Sequence, residues 1–225
     1  MPSVADTEVI SIRVGTHQLF LEQYANVQTQ VQAAILCEDI DVPFWAVVWP
    51  SSIVSAAAMT LVPNLRGARV LELGGGVGTL ALAAALCGAK EAVSADIVPE
   101  AANFVQSNAA RNNLENVYAL TMDWNQIPDN LGRFDVVVAA DVLYADGMLR
   151  GLLRCLSKVL TQNGVAYIAD PNRAMRGGFR GAARLHGMVV EESGVPVEMI
   201  QRAGLSSFRG VTLYTVRRKP SILDL

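Results

Sequence analysis

Hydrophobic and polar positions change rhythm several times along this chain. Val9-Ile10-Ser11-Ile12-Arg13-Val14 alternates with period two, Gly15-Thr16-His17 turns, and Gln18 to Leu21 returns, which predicts a β-hairpin. Ala25 to Leu36 reads as a weakly helical polar stretch, and Glu38, Asp39 and Asp41 mark a loop. Pro43 to Pro50 (PFWAVVWP) is an aromatic segment ended by proline. Ser51-Ser52 then look like the cap of an alanine-rich helix reaching about Leu61.

From Arg69 a regular alternation begins. Short apolar runs at Val70–Leu73, Ala92–Asp96, Val117–Thr121, Phe134–Ala140 and Gly164–Ala169 read as strands. Thr79–Leu86, Pro99–Asn112 and Gly147–Leu160 between them read as helices. The run FDVVVAA is almost continuously apolar, as expected of a parallel strand covered on both faces. A short helix at Phe179–Leu185 and two late strands, Met188–Glu191 and Gly210–Val216, end the pattern. The expectation is an α/β, Rossmann-like, doubly wound sheet of seven strands, mostly parallel, with an antiparallel edge. Without repeats or linkers, residues 1–225 form one domain: an N-terminal extension of hairpin and helix over 1–62 and the α/β core over 63–225.

Composition narrows the partners. The 225 residues are 52% hydrophobic and 17% charged, which excludes a disordered chain. A net charge of −3 argues against a general nucleic-acid binder. Cys37, Cys87 and Cys155 are widely spaced, and the two histidines, His17 and His186, stand apart. Neither a disulfide framework nor a metal site is expected. The N-terminal residues lack an apolar signal core and no run is long enough to span a bilayer, so the expectation is a protein of the cytoplasm, with organelle import left open.

In open α/β sheets ligands bind beyond the carboxyl ends of the strands, where the strand order reverses. The first strand of the core runs into Glu72-Leu73-Gly74-Gly75-Gly76-Val77-Gly78-Thr79, a turn on which a ligand can approach the backbone closely. Thr79 occupies the third glycine position of a dinucleotide fingerprint, so a nicotinamide oxidoreductase ranks last. Asp96-Ile97 ends the second strand. Its carboxylate could accept both hydroxyls of a ribose or cap the following helix. Met122-Asp123-Trp124 follows the third: an acid beside an indole suits an adenine, and equally suits a core tryptophan next to a turn. Ala140-Asp141-Val142-Leu143-Tyr144 follows the fourth, and a helical turn here would bring Asp141 and Tyr144 to one face.

PFWAVVWPSS, ELGGGVGTLAL, ADIVP, MDW and DVLY occur in that order from Pro43 onward. Together they resemble the D-x-x-Y group of class I S-adenosylmethionine (SAM) methyltransferases, methyltransferase family 16, many of whose members methylate lysines of particular non-histone proteins. The stretch ADPNR, Ala169 to Arg173, is similar to the D-P-G-R stretch of the subgroup acting on the electron-transfer-flavoprotein β subunit, with Asn172 in place of glycine. The resemblance implies a SAM pocket flanked by Trp49 and floored by Glu72, Gly74, Gly76 and Gly78. Asp96 and Ile97 would lie at the ribose, Asp123 and Trp124 at the adenine, and Ala140 at the methyl. Asp141 and Tyr144 would be catalytic and face the amine, with Asp170 and Arg173 at the substrate. It further implies S-adenosylhomocysteine as product and a protein substrate; beside it, a monomer acting without nucleic acid or membrane is the expectation. A small-molecule N-methyltransferase and a silent SAM-binding protein are the alternatives. Trp45 suits either the core or the pocket, and the core is expected.

Overall fold

A computed structural model describes residues 6–25, 43–145, 147–171, 178–195, 205 and 210–219. The expected helix beyond Ala25, the acidic loop, Cys37, Asn172 and Arg173 lie outside these residues.

The hairpin is β1 (Thr7–Val14) and β2 (His17–Tyr24), joined by the two-residue turn Gly15-Thr16. His17 belongs to the second strand, where it pairs with Val14. Alternation buries Ile12, Val14, Leu19 and Leu21 on one face. Phe44–Ala46 form a 3-10 turn, and α1 covers Pro50–Ala58. Ser51 and Ser52 do not cap it: Trp49 is the N-cap, with Pro50 in the first turn. Proline there lacks only an N–H that no helical carbonyl could take. The Ser52 hydroxyl donates back to the Trp49 carbonyl at 2.7 Å.

The sheet comprises β3 (Arg69–Leu73), β4 (Glu91–Asp96), β5 (Val117–Thr121), β6 (Phe134–Ala140), β7 (Leu160–Asp170), β8 (Met188–Gly194) and β9 (Thr212–Arg218). Its order is β5-β4-β3-β6-β7-β9-β8. β3 to β7 pair in parallel; β9 runs against both β7 and β8, giving the antiparallel edge. β9, the last strand among the described residues, is thus slotted inside the edge strand β8. β7 starts earlier than expected, at Leu160, because its register against β6 shifts between Phe134 and Val136.

Period-two alternation in β3 and β6 feeds two cores. Leu71, Leu73, Val137 and Ala139 pack with α4 (Met148–Val159) and α5 (Phe179–Leu185), through Leu152, Leu153, Leu156 and Phe179. Val70, Val136 and Val138 pack on the opposite face with α2 (Thr79–Leu86) and the hairpin. The hairpin is also fastened to α3 (Ala101–Arg111) by side-chain amides. Asn108 Oδ1 accepts from the Glu22 N–H at 2.6 Å, and its Nδ2 donates to the carbonyls of Glu22 and Val77. Asn112 brackets the Phe20 backbone in the same way. The two amides occupy the free edge of β2 as a neighbouring strand would.

Candidate functional site

The strand order reverses between β3 and β6. Beyond their carboxyl ends lies a cavity of about 660 Å³. One wall is the turn between β3 and α2. Glu72 shares the parity of Val70 and so faces α2. Its carboxylate accepts from the Leu80 N–H at 2.9 Å, the Ala81 N–H at 3.1 Å and the Ser94 hydroxyl at 2.8 Å. An acid at a helix N-terminus satisfies otherwise unpaired donors and complements the helix dipole. Burial nevertheless dominates and raises the Glu72 pKa to about 7. Glu72 lines the wall while holding the turn from behind, a bracing duty that the glycine pattern did not reveal.

The turn admits glycine for steric reasons. A Cβ on Gly75 would strike the Ser94 hydroxyl that bonds Glu72. A Cβ on Gly76, at φ +52°, would collide with the carbonyl of Trp45. Gly74, Gly75 and Gly76 line the cavity. Gly78 is not in that lining; it caps α2, and a Cβ there would meet Val105 and Leu82.

Asp96, at the end of β4, accepts from the Gly76 N–H at 2.8 Å through one oxygen and the Val98 N–H at 3.0 Å through the other. It braces the glycine turn and caps the chain ahead of α3 while lining the cavity. Ile97 beside it lines the cavity and is 64% exposed. Asp123 Oδ1 accepts from the Asn125 backbone at 2.8 Å and its amide at 3.0 Å, so the loop after β5 is tied internally. Asp123, Trp124 and Asn125 all line the cavity, and Trp124 also packs on the core beneath α4.

At the end of β6, Ala140, Asp141, Val142 and Tyr144 complete the wall. The expected helical turn is absent here: α4 begins only at Met148. Asp141 sits at φ +61° with its N–H donating to the Ala169 carbonyl at 3.0 Å, tying the bend to β7. A non-glycine residue in this left-handed region is uncommon, and such outliers gather at functional sites. Asp141 is 8% exposed and Tyr144 is 68% exposed, so the pair meets at the cavity without sharing a helix face.

Asp170 is 2% exposed at the end of β7, opposite Thr212, and is not part of the lining. Trp49 lines the cavity, its indole N–H donating to the Phe44 carbonyl at 2.9 Å. Trp45, expected in the core, does both: it lines the cavity and its ring packs on Tyr24 and Phe104. Every tryptophan of the chain therefore lies on this cavity. Phe44, Ser52, Met122 and Met148 line it too and were not anticipated. Phe44 carried a signal in the aromatic segment; Met148 carried none. Among the described residues no group of histidine, cysteine or acid side chains could hold a metal. Burial pushes the Cys155 thiol up to about 12, as its packing place in α4 requires.

A family model described as lysine methyltransferase matches residues 32–177. The electron transfer flavoprotein beta subunit lysine methyltransferase of Mus musculus is 31% identical over 151 residues, 65% of this chain and 58% of the mouse protein. The calmodulin-lysine N-methyltransferase of Arabidopsis thaliana is 32% identical over 120 residues, 50% of this chain and 40% of its own. The chain thus spans about half to three fifths of the flavoprotein methyltransferases it matches, 51% in Danio rerio and 58% in mouse. In fold, the 16S rRNA N2 G1207 methyltransferase of T. thermophilus, solved with AdoMet and guanosine, aligns at a TM-score of 0.68 and 19% identity. That alignment covers 98% of this chain and 52% of that one.

Proposed function

Because this chain belongs to the lysine methyltransferase family, we propose that it transfers a methyl group from S-adenosylmethionine to a lysine side chain of a protein. The observation that carries this reading is the single cavity wall on which the glycine turn, Asp96, Asp123-Trp124 and Asp141-Tyr144 converge. The cavity suits the cofactor on its own features. Gly74 to Gly76 leave backbone where side chains would intrude, and carboxylates stand at two successive strand ends. Indoles and apolar side chains supply the faces an adenine needs. Asp96 would hold the ribose, Asp123 and Trp124 the adenine, and Trp49 and Ala140 would border the reacting end. The cofactor, when bound, supplies a methyl group already activated on a sulfonium.

The chain's own task is then alignment and desolvation. An ammonium has no lone pair, so the lysine must have released its proton to solvent by the time the methyl transfers. Apolar surroundings favour the neutral amine; Phe44, Val142 and Tyr144 provide them. Asp141 attracts the ammonium and so works as an orienter of the amine rather than as a depressor of its pKa. Phe44, Ile97 and Tyr144 line the cavity while 50%, 64% and 68% exposed, so it opens onto the surface along an apolar rim. An open rim favours a protein acceptor over a small molecule.

The test is transfer from radiolabelled SAM into size-fractionated extract from the source organism. Label in a discrete protein band, retained as methyllysine after hydrolysis and lost with Asp141→Asn, is the expected result. Label confined to the small-molecule fraction would replace the protein acceptor with a metabolite.

A further inference from the structure

The aromatic segment Phe44–Trp49 forms one side of the cavity through Phe44, Trp45, Val47 and Trp49. Two of its polar contacts are local: the Ala46 N–H donates to the Pro43 carbonyl just before it, and the Trp49 indole to the Phe44 carbonyl. A third leaves the segment. The Val48 N–H donates to Gln23 Oε1 at 2.9 Å in a buried setting. Gln23 lies on β2 and is 7% exposed. Its Nε2 donates to Glu8 Oε1 on β1 at 2.9 Å, and Gln23 and Glu8 are direct partners in the hairpin register. One amide oxygen and one amide nitrogen are thus assigned by their partners, and the side chain cannot flip without placing donor against donor.

The hairpin holding Gln23 has anchors of its own besides the segment. Its inner face is in the core, and Asn108 and Asn112 grip its edge. Next to Gln23, Tyr24 packs on Trp45 with ring centroids 5.7 Å apart. The Trp45 carbonyl in turn stands where a side chain on Gly76 would be. A chain of contacts runs from the hairpin through Gln23 and the aromatic segment to the glycine turn.

We propose that Gln23 is a positioning residue: it hangs the Phe44–Trp49 wall from the N-terminal hairpin and so sets the cavity's affinity for its ligand. The hairpin serves the site from behind without touching it. The ligand's identity rests on the function proposed above; the tie itself does not.

The experiment compares Gln23→Leu, Gln23→Glu, Glu8→Gln and the double variant Glu8→Gln/Gln23→Glu. Because Trp45, Trp49 and Trp124 all line the cavity, acrylamide quenching of the ligand-free proteins reports how tightly the wall is held. S-adenosylhomocysteine titrated against the same fluorescence reports affinity. Gln23→Leu removes the acceptor; Gln23→Glu, read at pH 9 where both acids are ionised, keeps an acceptor but sets it against the Glu8 carboxylate, whose repulsion drives the side chain off the Val48 N–H. Both are expected to raise quenching and to weaken binding by about tenfold, one buried hydrogen bond's worth. The double variant restores a donor at position 8 and an acceptor at position 23. It is expected to recover wild-type quenching and affinity to within about twofold, as is Glu8→Gln alone. If Gln23→Leu fails to fold, the contrast between Gln23→Glu and the double variant decides instead. Quenching unchanged in a folded Gln23→Leu or in Gln23→Glu, or not recovered in the double variant, overturns the proposal. If wild type binds no S-adenosylhomocysteine, the functional reading fails, and the quenching series still decides the tie.

Discussion

At the scale of single residues, two buried acids carry the account. Glu72 has a folded pKa raised by burial to about 7 from an ordinary 4.5. The folded chain therefore binds more protons than the unfolded chain between those values, and stability falls as pH rises through that window. Above pH 7 the penalty is complete, on the order of 3 kcal/mol. Glu72→Gln removes the titration. Denaturant midpoints at pH 5 and pH 7.5 should therefore differ less in the variant than in wild type, after the opposite contribution of Glu22, whose pKa is lowered, cancels between them. An unchanged difference would mean that Glu72 does not titrate in this window. Asp141 is the other. Asparagine tolerates the same left-handed backbone, so Asp141→Asn removes charge without adding strain. Turnover should fall at least about tenfold, read as kcat under saturating SAM. The sequence made Asp141 visible through its D-V-L-Y context but not its backbone. A positive φ arises from the tie to Ala169 on β7, which no local pattern encodes. Glu72 was visible by position and hidden in duty, because its partners Leu80 and Ser94 come from two other elements.

At the scale of elements, the strand and helix signals from Arg69 onward matched what folded. Each core strand is a short apolar run, and α4 buries Leu149, Leu152, Leu153 and Leu156 at helical spacing. Failures fell where tertiary contacts decide. The first turn of α1 was misassigned to Ser51-Ser52 because Pro50 could start it one residue earlier. The sequence leaves Trp45 open between core and pocket, with the core expected, because its carbonyl's approach to Gly76 is a contact between distant segments. Gly76→Ala tests that contact. It meets both a strained φ and the Trp45 carbonyl, and should weaken S-adenosylhomocysteine binding at least tenfold in a fluorescence titration. Asn108→Ala tests the fastening of the hairpin. It strands the partly buried Glu22 N–H and carbonyl and the buried Val77 carbonyl, and should cost about 2 kcal/mol by chemical denaturation. A loss under 0.5 kcal/mol would mean that the hairpin is held by its apolar face alone.

At the scale of the whole molecule, one sheet separates two hydrophobic layers and leaves a single point where the strand order reverses. Ligand chemistry collects there because parallel strands deliver their carboxyl ends to one side. The doubly wound class and the antiparallel edge were legible in the alternation. The insertion of β9 between β7 and β8 was not, since pairing order leaves no trace in local periodicity. The central claim is that the cavity has a binding end at Asp96 and a transfer end at Asp141. The most direct test is a calorimetric titration of S-adenosylhomocysteine into wild type, Asp96→Ala and Asp141→Asn. The account predicts binding by wild type, a loss of at least about tenfold with Asp96→Ala, and a change within about threefold with Asp141→Asn. No binding by wild type, or equal losses in the two variants, would contradict it.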